Sequence, residues 1–332
     1  MNTMDQNSTT ELNISSSGQA TEICFRTYIV NRPTTAYIAN SALGVLVNAI
    51  LAILGTFLNA LVVAVFWKTR RLRNKVSYFM IMLLSCNDIC VTVIVHPLYM
   101  LNSITEMMNN SKCVYKMIYQ TSAVMLSGIS YLTFVAMNIE RYLSICQPFF
   151  HMKHVTKKRC FILSAISWLI SIGTAIAPIV GMDIQFFVTA ITVLALGGVF
   201  FIYVSVYRVA KKSRNSPLRR STTHTFESEE STRPEKTVSL FHDIQLAKMY
   251  VIVVFTTVLL NLPNAVVLVM FSGRVKAVDG VAHAKVWTLT LISMNSTFNS
   301  IIFFWANGPL RNEGWKLCKK IYNFNVRGSD TE

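Results

Sequence analysis

The chain is short of charge: only 14% of its 332 residues are Asp, Glu, Lys or Arg, against about a quarter in an average soluble domain. So little charge excludes a disordered chain and argues against two ordinary soluble domains, which the length alone would allow. Thirteen Gly exclude a collagen-like repeat, and seven Cys are too few for a disulfide-dense secreted scaffold. The six His are scattered, no His/Cys group has metal-ligand spacing, and no Gly-rich phosphate loop is present. The chain is therefore not read as an enzyme. No internal repeat, inverted or parallel, is found. Acidic residues are scarce as well, 16 against 31 Lys and Arg, for a formal net charge of +15. A strongly basic balance also marks nucleic-acid binders, so its distribution along the chain has to decide.

What the chain has instead is apolar sequence, 52% of its residues. A bilayer span needs about 20 mostly apolar residues. Seven runs meet that length: Ser41–Trp67, Val76–Leu101, Val114–Ile145, Cys160–Gly181, Phe186–Tyr207, Leu246–Phe271 and His283–Ala306. Pro263 is expected to kink the sixth rather than end it. The fold class expected is an all-α membrane protein, a seven-transmembrane helix bundle. Residues 1–40 form a polar leading segment without a cleavable signal pattern. Residues 41–306 hold the bundle, with a flexible polar loop at 208–245, and residues 307–332 follow it. In this last part Pro309–Phe324 alternates apolar and basic residues, as a short amphipathic eighth helix on the membrane surface would.

Sorted by side, the charge becomes a gradient. Twenty-four of the 31 Lys and Arg fall beside the loops that follow the first, third and fifth spans and the seventh, and seven fall on the other side. The positive-inside rule then puts the N-terminus outside and the C-terminus in the cytoplasm. The sequons at Asn7, Asn13 and Asn109 lie on the side so assigned to the exterior, as glycosylation requires. The charge is thus a topology signal, also open to anionic lipid, and no nucleic-acid partner is expected.

An ionisable residue in mid-membrane is costly, about 2.5–3.5 kcal/mol on insertion scales, and is functional by default. Asp88 is the acidic residue deep within a span, and helical counting brings Asn59, Ser130, Asn295, Ser296 and Asn299 to its depth. Two readings stay open: a polar cluster that glues helices, or a hydrated site for a hard cation such as Na⁺. Glu140-Arg141-Tyr142 lies 28 residues after Cys113, about 42 Å of helix, a full bilayer with its headgroups. Asp243 at the foot of the sixth run is a candidate partner for Arg141.

In their order these marks resemble the rhodopsin-class (class A) G-protein-coupled receptors: Gly55-x-x-x-Asn59, Leu84-x-x-x-Asp88, Glu140-Arg141-Tyr142 with Pro148, Trp168 with Pro178, Tyr203, Pro263 and Asn299. The resemblance implies a plasma-membrane receptor that binds an extracellular ligand and activates a heterotrimeric G protein as the sixth helix swings outward. It gives Arg141 and Tyr203 roles in coupling or in the active state, and Phe149 after Pro148 a contact with the G protein. It makes Asp88, Ser130, Asn295 and Asn299 a sodium site, with no other cofactor. Departures accompany it: Asn261 stands in place of Trp, Ala195 in place of Pro, and Asn299-Ser300-Ile301-Ile302-Phe303 lacks the usual Pro and Tyr. They open the alternative of a receptor-like protein that signals constitutively or not at all. A cation or proton transporter using Asp88 is a third expectation.

The family's usual disulfide cannot form, because the loop at Gly181–Gln185 has no Cys. A bridge between Cys24 and Cys113 and two free thiols are the alternatives, and Cys318 is a palmitoylation candidate. Ala123 stands where amine receptors carry an Asp, and Ser293 where visual pigments carry a Lys. Neither a biogenic amine held by that salt bridge nor retinal is therefore expected. The outer half offers mostly apolar and aromatic residues, with Tyr99, Gln120, Ser127, Asn264 and Trp287 as candidate ligand contacts beside Ala123, Val124, Phe187 and Leu289. Core packing is the competing reading of that stripe. His96, alone beside Pro97, is read as a packing residue.

Overall fold

The computed structural model describes residues 12–14, 20–24, 27–177, 252–264, 266–267 and 279–329, with scattered positions between 179 and 208. Tyr203, Asp243, the loop at 208–245, the fifth run's continuous course, Asn7, Pro178, Phe187 and Ala195 lie outside the described residues.

Three short strands come first: β1 (Leu12–Ile14), β2 (Ala20–Cys24) and β3 (Thr27–Asn31), an antiparallel meander in the order β1-β2-β3. Its register pairs Leu12 with Glu22 and Cys24 with Thr27. The strands depart from an all-helical expectation, and the β-branched and aromatic stretch Thr27-Tyr28-Ile29-Val30 accounts for the last of them. The sheet is tied to the bundle by Val30, buried with Tyr37, Ala282 and Val286, and by Arg32 N, which donates to Asn109 Oδ1 at 2.7 Å.

Helix α1 (Thr35–Lys68) opens on Thr34, whose hydroxyl accepts from Tyr37 N at 3.2 Å and satisfies one of the unpaired first-turn donors. A single turn, α2 (Arg70–Arg73), leads to α3 (Val76–Cys90). A π-helical turn, Val91–Val95, joins α3 to α4 (His96–Met107), and the whole forms one helix from Val76 to Met107. Pro97 supplies the reason: it brings no N–H to the ladder, and His96 N reaches back five residues to Val91 O. Then come α5 (Cys113–Cys146), α6 (Pro148–His154) and α7 (Lys157–Ile176). After the intervening residues the described chain resumes with α8 (Ile252–Asn264), α9 (Asp279–Ala306) and α10 (Gly308–Ser329).

Four described helices, at Thr35–Lys68, Val76–Met107, Cys113–Cys146 and Lys157–Ile176, are long and apolar enough to cross a membrane, and α8 is a shorter apolar one. Each begins or ends within a few residues of the span read from hydropathy. Helix α8 passes through Pro263 and is described to Asn264.

The distribution of side chains is inverted relative to a soluble protein. Ile50, Ile53 and Phe57 stand exposed along one face of α1, Ile53 at 75%, and Leu169 of α7 at 71%. Asn48, Asn59, Asp88 and His96 are wholly buried between helices. Apolar residues outward and polar residues inward suit a solvent of lipid tails. Gly55 makes the close packing possible: a Cβ there would sit 2.6 Å from Thr92 Cγ2 and against Thr297 Oγ1. Helix α10 docks by Leu310, and Asn307 Oδ1 accepts from both Tyr78 OH and Leu310 N at 3.1 Å. Its Trp315 and Tyr322 are exposed, as an interfacial helix presents them.

Candidate functional site

Asp88 lies at the centre of the bundle with no exposed surface. Ser130 Oγ of α5 donates to its Oδ1 at 2.5 Å, and Asn299 Nδ2 of α9 donates to its Oδ2 at 3.1 Å. The Ser296 side chain bonds it as well. Three of the residues placed at this depth by helical counting thus converge on one carboxylate. Asn59 sits one step away: its Nδ2 donates to Gly55 O at 2.9 Å and Ser296 O at 3.2 Å, and its Oδ1 accepts from Ser300 Oγ. Asn295 faces elsewhere. Its Oδ1 accepts from Thr257 Oγ1 at 3.0 Å, which ties α9 to α8. Gathered carboxylate and hydroxyl oxygens are donors of the kind a small hard cation takes, so the residues present fit the expected ion.

At the opposite end of α5 from Cys113, Glu140 and Arg141 are 3% and 2% exposed. Arg141 Nε lies 3.2 Å from Glu140 Oε2. Glu140 Oε1 accepts from His151 Nε2 of α6 at 2.9 Å and from Ser77 Oγ of α3 at 3.2 Å. The acid beside the arginine is therefore clamped from two neighbouring elements, and charge-assisted bonds of this kind are the stronger ones. Sequence reading did not single out His151 or Ser77, because only the turn of α6 brings residue 151 back to residue 140. Phe149 on the same α6 is 84% exposed, next to Pro148 at the helix start, and Tyr142 is half-buried. Phe303, where Tyr was expected from the resemblance, is fully buried among apolar side chains including Val62, Met80 and Leu310.

Nearer the sheet, Tyr99 and Tyr119 meet edge to face, with centroids 5.8 Å apart. They form an apolar cluster with Val91, Val95, Leu126 and Ile129, against which Ala123 and Leu289 pack. Of the candidate ligand contacts, Tyr99 is buried here, Ser127 and Asn264 are half-buried, and Gln120 is exposed. Trp287 is drawn away. Its Nε1 donates to Asn40 Oδ1 at 2.8 Å, and its ring packs beside Val30 and Val286, at the seam of α9 with α1.

His96 is more than a packing residue. Its Nδ1 is 2.7 Å from Asn48 Oδ1. Asn48 Nδ2 donates to Gly44 O and Thr290 Oγ1, so Oδ1 is the acceptor and His96 carries its proton on Nδ1. Glu106, also missed in the sequence, accepts from Tyr37 OH at 2.7 Å and pairs with Lys116 at 3.2 Å. Cys113 is disulfide-bonded, and β2, which ends at Cys24, packs against α5; the side chain of Cys24 lies outside the described ones. Cys318 is a half-buried free thiol.

The family model for the 7 transmembrane receptor (rhodopsin family) matches residues 58–303, from before Asn59 to Phe303. The chain belongs to this family. As a rhodopsin-family receptor it is a multi-pass membrane protein of the seven-transmembrane fold, and a receptor rather than an enzyme. It is similar to melanopsin of Podarcis siculus, 32% identical over 125 residues that cover 37% of this chain and 26% of melanopsin. It is also similar to cannabinoid receptor 1 of Taricha granulosa, 26% identical over 305 residues, which cover 82% of this chain and 63% of that receptor. The chain thus spans less than two thirds of the length of these relatives. Squid rhodopsin shares the fold, with a TM-score of 0.67 over 88% of this chain and 87% of its own, at 17% identity.

Proposed function

We propose that this rhodopsin-family receptor lies in the plasma membrane with its N-terminus outside and that an extracellular ligand makes it activate a heterotrimeric G protein. The observation that carries the proposal is the burial of Arg141 against Glu140, itself held by His151 and Ser77. This is a closed arrangement. Agonist would favour the alternative in which the sixth helix moves out and Arg141 is released to the G protein. The exposed Phe149 on the adjoining α6 is then an apolar contact for the same partner. The orientation rests on the basic gradient, and it puts Arg141 on the cytoplasmic side. Arg141→Ala tests the mechanism: it should abolish nucleotide exchange on the G protein with surface expression retained.

Asp88 with Ser130, Ser296 and Asn299 is proposed to hold Na⁺ in the closed state, linking α3, α5 and α9. For the ligand, the cluster around Tyr99, Tyr119 and Leu289 favours an apolar or amphipathic small molecule. Ala123 at the amine position and Ser293 at the retinal position disfavour those two chemistries. Transport through Asp88 finds no support in a receptor family.

Two departures favour a second reading. Phe303 has no hydroxyl to join a polar link to the fifth helix, and Asn261 replaces the family's Trp, its Nδ2 bonded to Thr257 O at 2.7 Å. A receptor with altered or constitutive signalling would follow, and basal exchange measured without ligand separates it from a silent protein.

A further inference from the structure

At the Arg141 end of the bundle α9 stops at Ala306 and α10 starts at Gly308, and Asn307 is the elbow between them. Asn307 is 2% exposed. Its Oδ1 accepts from Leu310 N at 3.1 Å, which satisfies one of the unpaired donors in the first turn of α10. The same oxygen accepts from Tyr78 OH of α3, also at 3.1 Å. A backbone N–H can only donate, so the bond from Leu310 fixes which atom of the carboxamide is the oxygen and leaves Nδ2 on the other side. Buried there, Nδ2 finds no acceptor among the described residues. A buried donor without an acceptor is a standing cost to the arrangement that holds it. The elbow is therefore held against a penalty, and Tyr78 ties it from a neighbouring helix.

Tyr78 is buried and shares an apolar cluster with Met137 of α5, Phe303 of α9 and Leu310 of α10. Phe303 brings no polar side-chain atom to this level, so the phenol and the Asn307 carboxamide carry the polar link. The charges of Arg141 and Arg71 act on that phenol from nearby. A cation beside a phenol polarises its O–H and makes it a stronger donor in a buried setting. The grip of Tyr78 on Asn307 thus depends on where Arg141 stands.

We propose that Tyr78 is a latch: its hydroxyl holds the α9–α10 elbow against α3 while Arg141 is buried, and lets the elbow go when Arg141 leaves. Tyr78 is a positioning residue, acting through Asn307 on α10. The inference deepens the reading of Arg141 as the group released on activation, and it rests on that reading for the direction of the switch.

The experiment is fluorine NMR of the full-length receptor in detergent, with a fluorotryptophan in place of Trp315, which is exposed on α10. Its resonances report the populations with the elbow held and released. Tyr78→Phe removes only the hydroxyl and should raise the released-to-held ratio about fivefold, the effect of one net hydrogen bond. Asn307→Ser keeps a capping oxygen for Leu310 N and withdraws the acceptor from Tyr78, so it should do the same. Arg141→Ala should move the ratio in the same direction. Tyr78→Phe combined with either of the other two should add nothing, because all of them break one link. An unmoved ratio in Tyr78→Phe, a ratio that Arg141→Ala leaves alone, or additive effects in the paired variants would overturn the proposal. No G protein is present, so the result is read apart from coupling, which nucleotide exchange by Arg141→Ala tests.

Discussion

His151 Nε2 stands 2.9 Å from Glu140 Oε1, so the helix that presents Phe149 to solvent also holds the acid beside Arg141. On the proposed mechanism one element would serve both as lock and as contact surface. His151→Ala removes a bond to a charged acceptor, worth roughly 1.5–3 kcal/mol, and loosens Glu140. Basal nucleotide exchange on a heterotrimeric G protein should rise by up to about tenfold, and a fall or no change would separate His151 from the lock.

The Asp88 centre predicts a cation effect on stability. Replacing choline with Na⁺ at ten times its Kd should stabilise the receptor by about 1.4 kcal/mol, a melting shift of roughly 2–5 °C for a chain of this size. The shift should vanish in Asp88→Asn, which keeps the shape and loses the charge. An equal shift in that variant would move the ion elsewhere.

How far this centre was legible follows from its chemistry. A lone Asp in an apolar run has few structural excuses, and counting turns from the span ends found Ser130, Ser296 and Asn299. It also collected Asn295, because depth fixes height in the bilayer and leaves rotation about the helix open. Only packing shows that Asn295 turns to Thr257. Ser300 and Thr257 were invisible for a related reason: a span hydroxyl can satisfy itself on the carbonyl a turn earlier, so its residue type announces no partner. His96 was read as a packing residue, and it is buried as that reading expects, but its bond to Asn48 on another helix could not be seen from one span alone. Trp287 was placed among the candidate ligand contacts by depth, and only packing shows its indole bonded to Asn40 of α1.

Close helix packing at Gly55 yields a stability prediction. Gly55→Ala drives a methyl against Thr92 and Thr297 from two other helices. Overpacking of this kind costs roughly 1–3 kcal/mol, which a thermal melt of the purified receptor should show. An unchanged melt would mean that the contact relaxes freely.

Cys113 is disulfide-bonded, and β2 next to it ends at Cys24. Peptide mapping without reductant should recover a linked Cys24–Cys113 pair. Cys113→Ser should lower stability by about 2–4 kcal/mol and free the sheet from the bundle. Recovery of Cys24 as an unlinked thiol would exclude the pairing.

On the proposed mechanism, release of Arg141 couples this receptor to a G protein. Its most direct test is nucleotide exchange on a panel of purified heterotrimers by the reconstituted receptor, comparing wild type, His151→Ala and Arg141→Ala at equal surface-competent amounts. Exchange should be raised by His151→Ala and lost in Arg141→Ala and in the doubly substituted receptor. Exchange that persists in Arg141→Ala would contradict the mechanism.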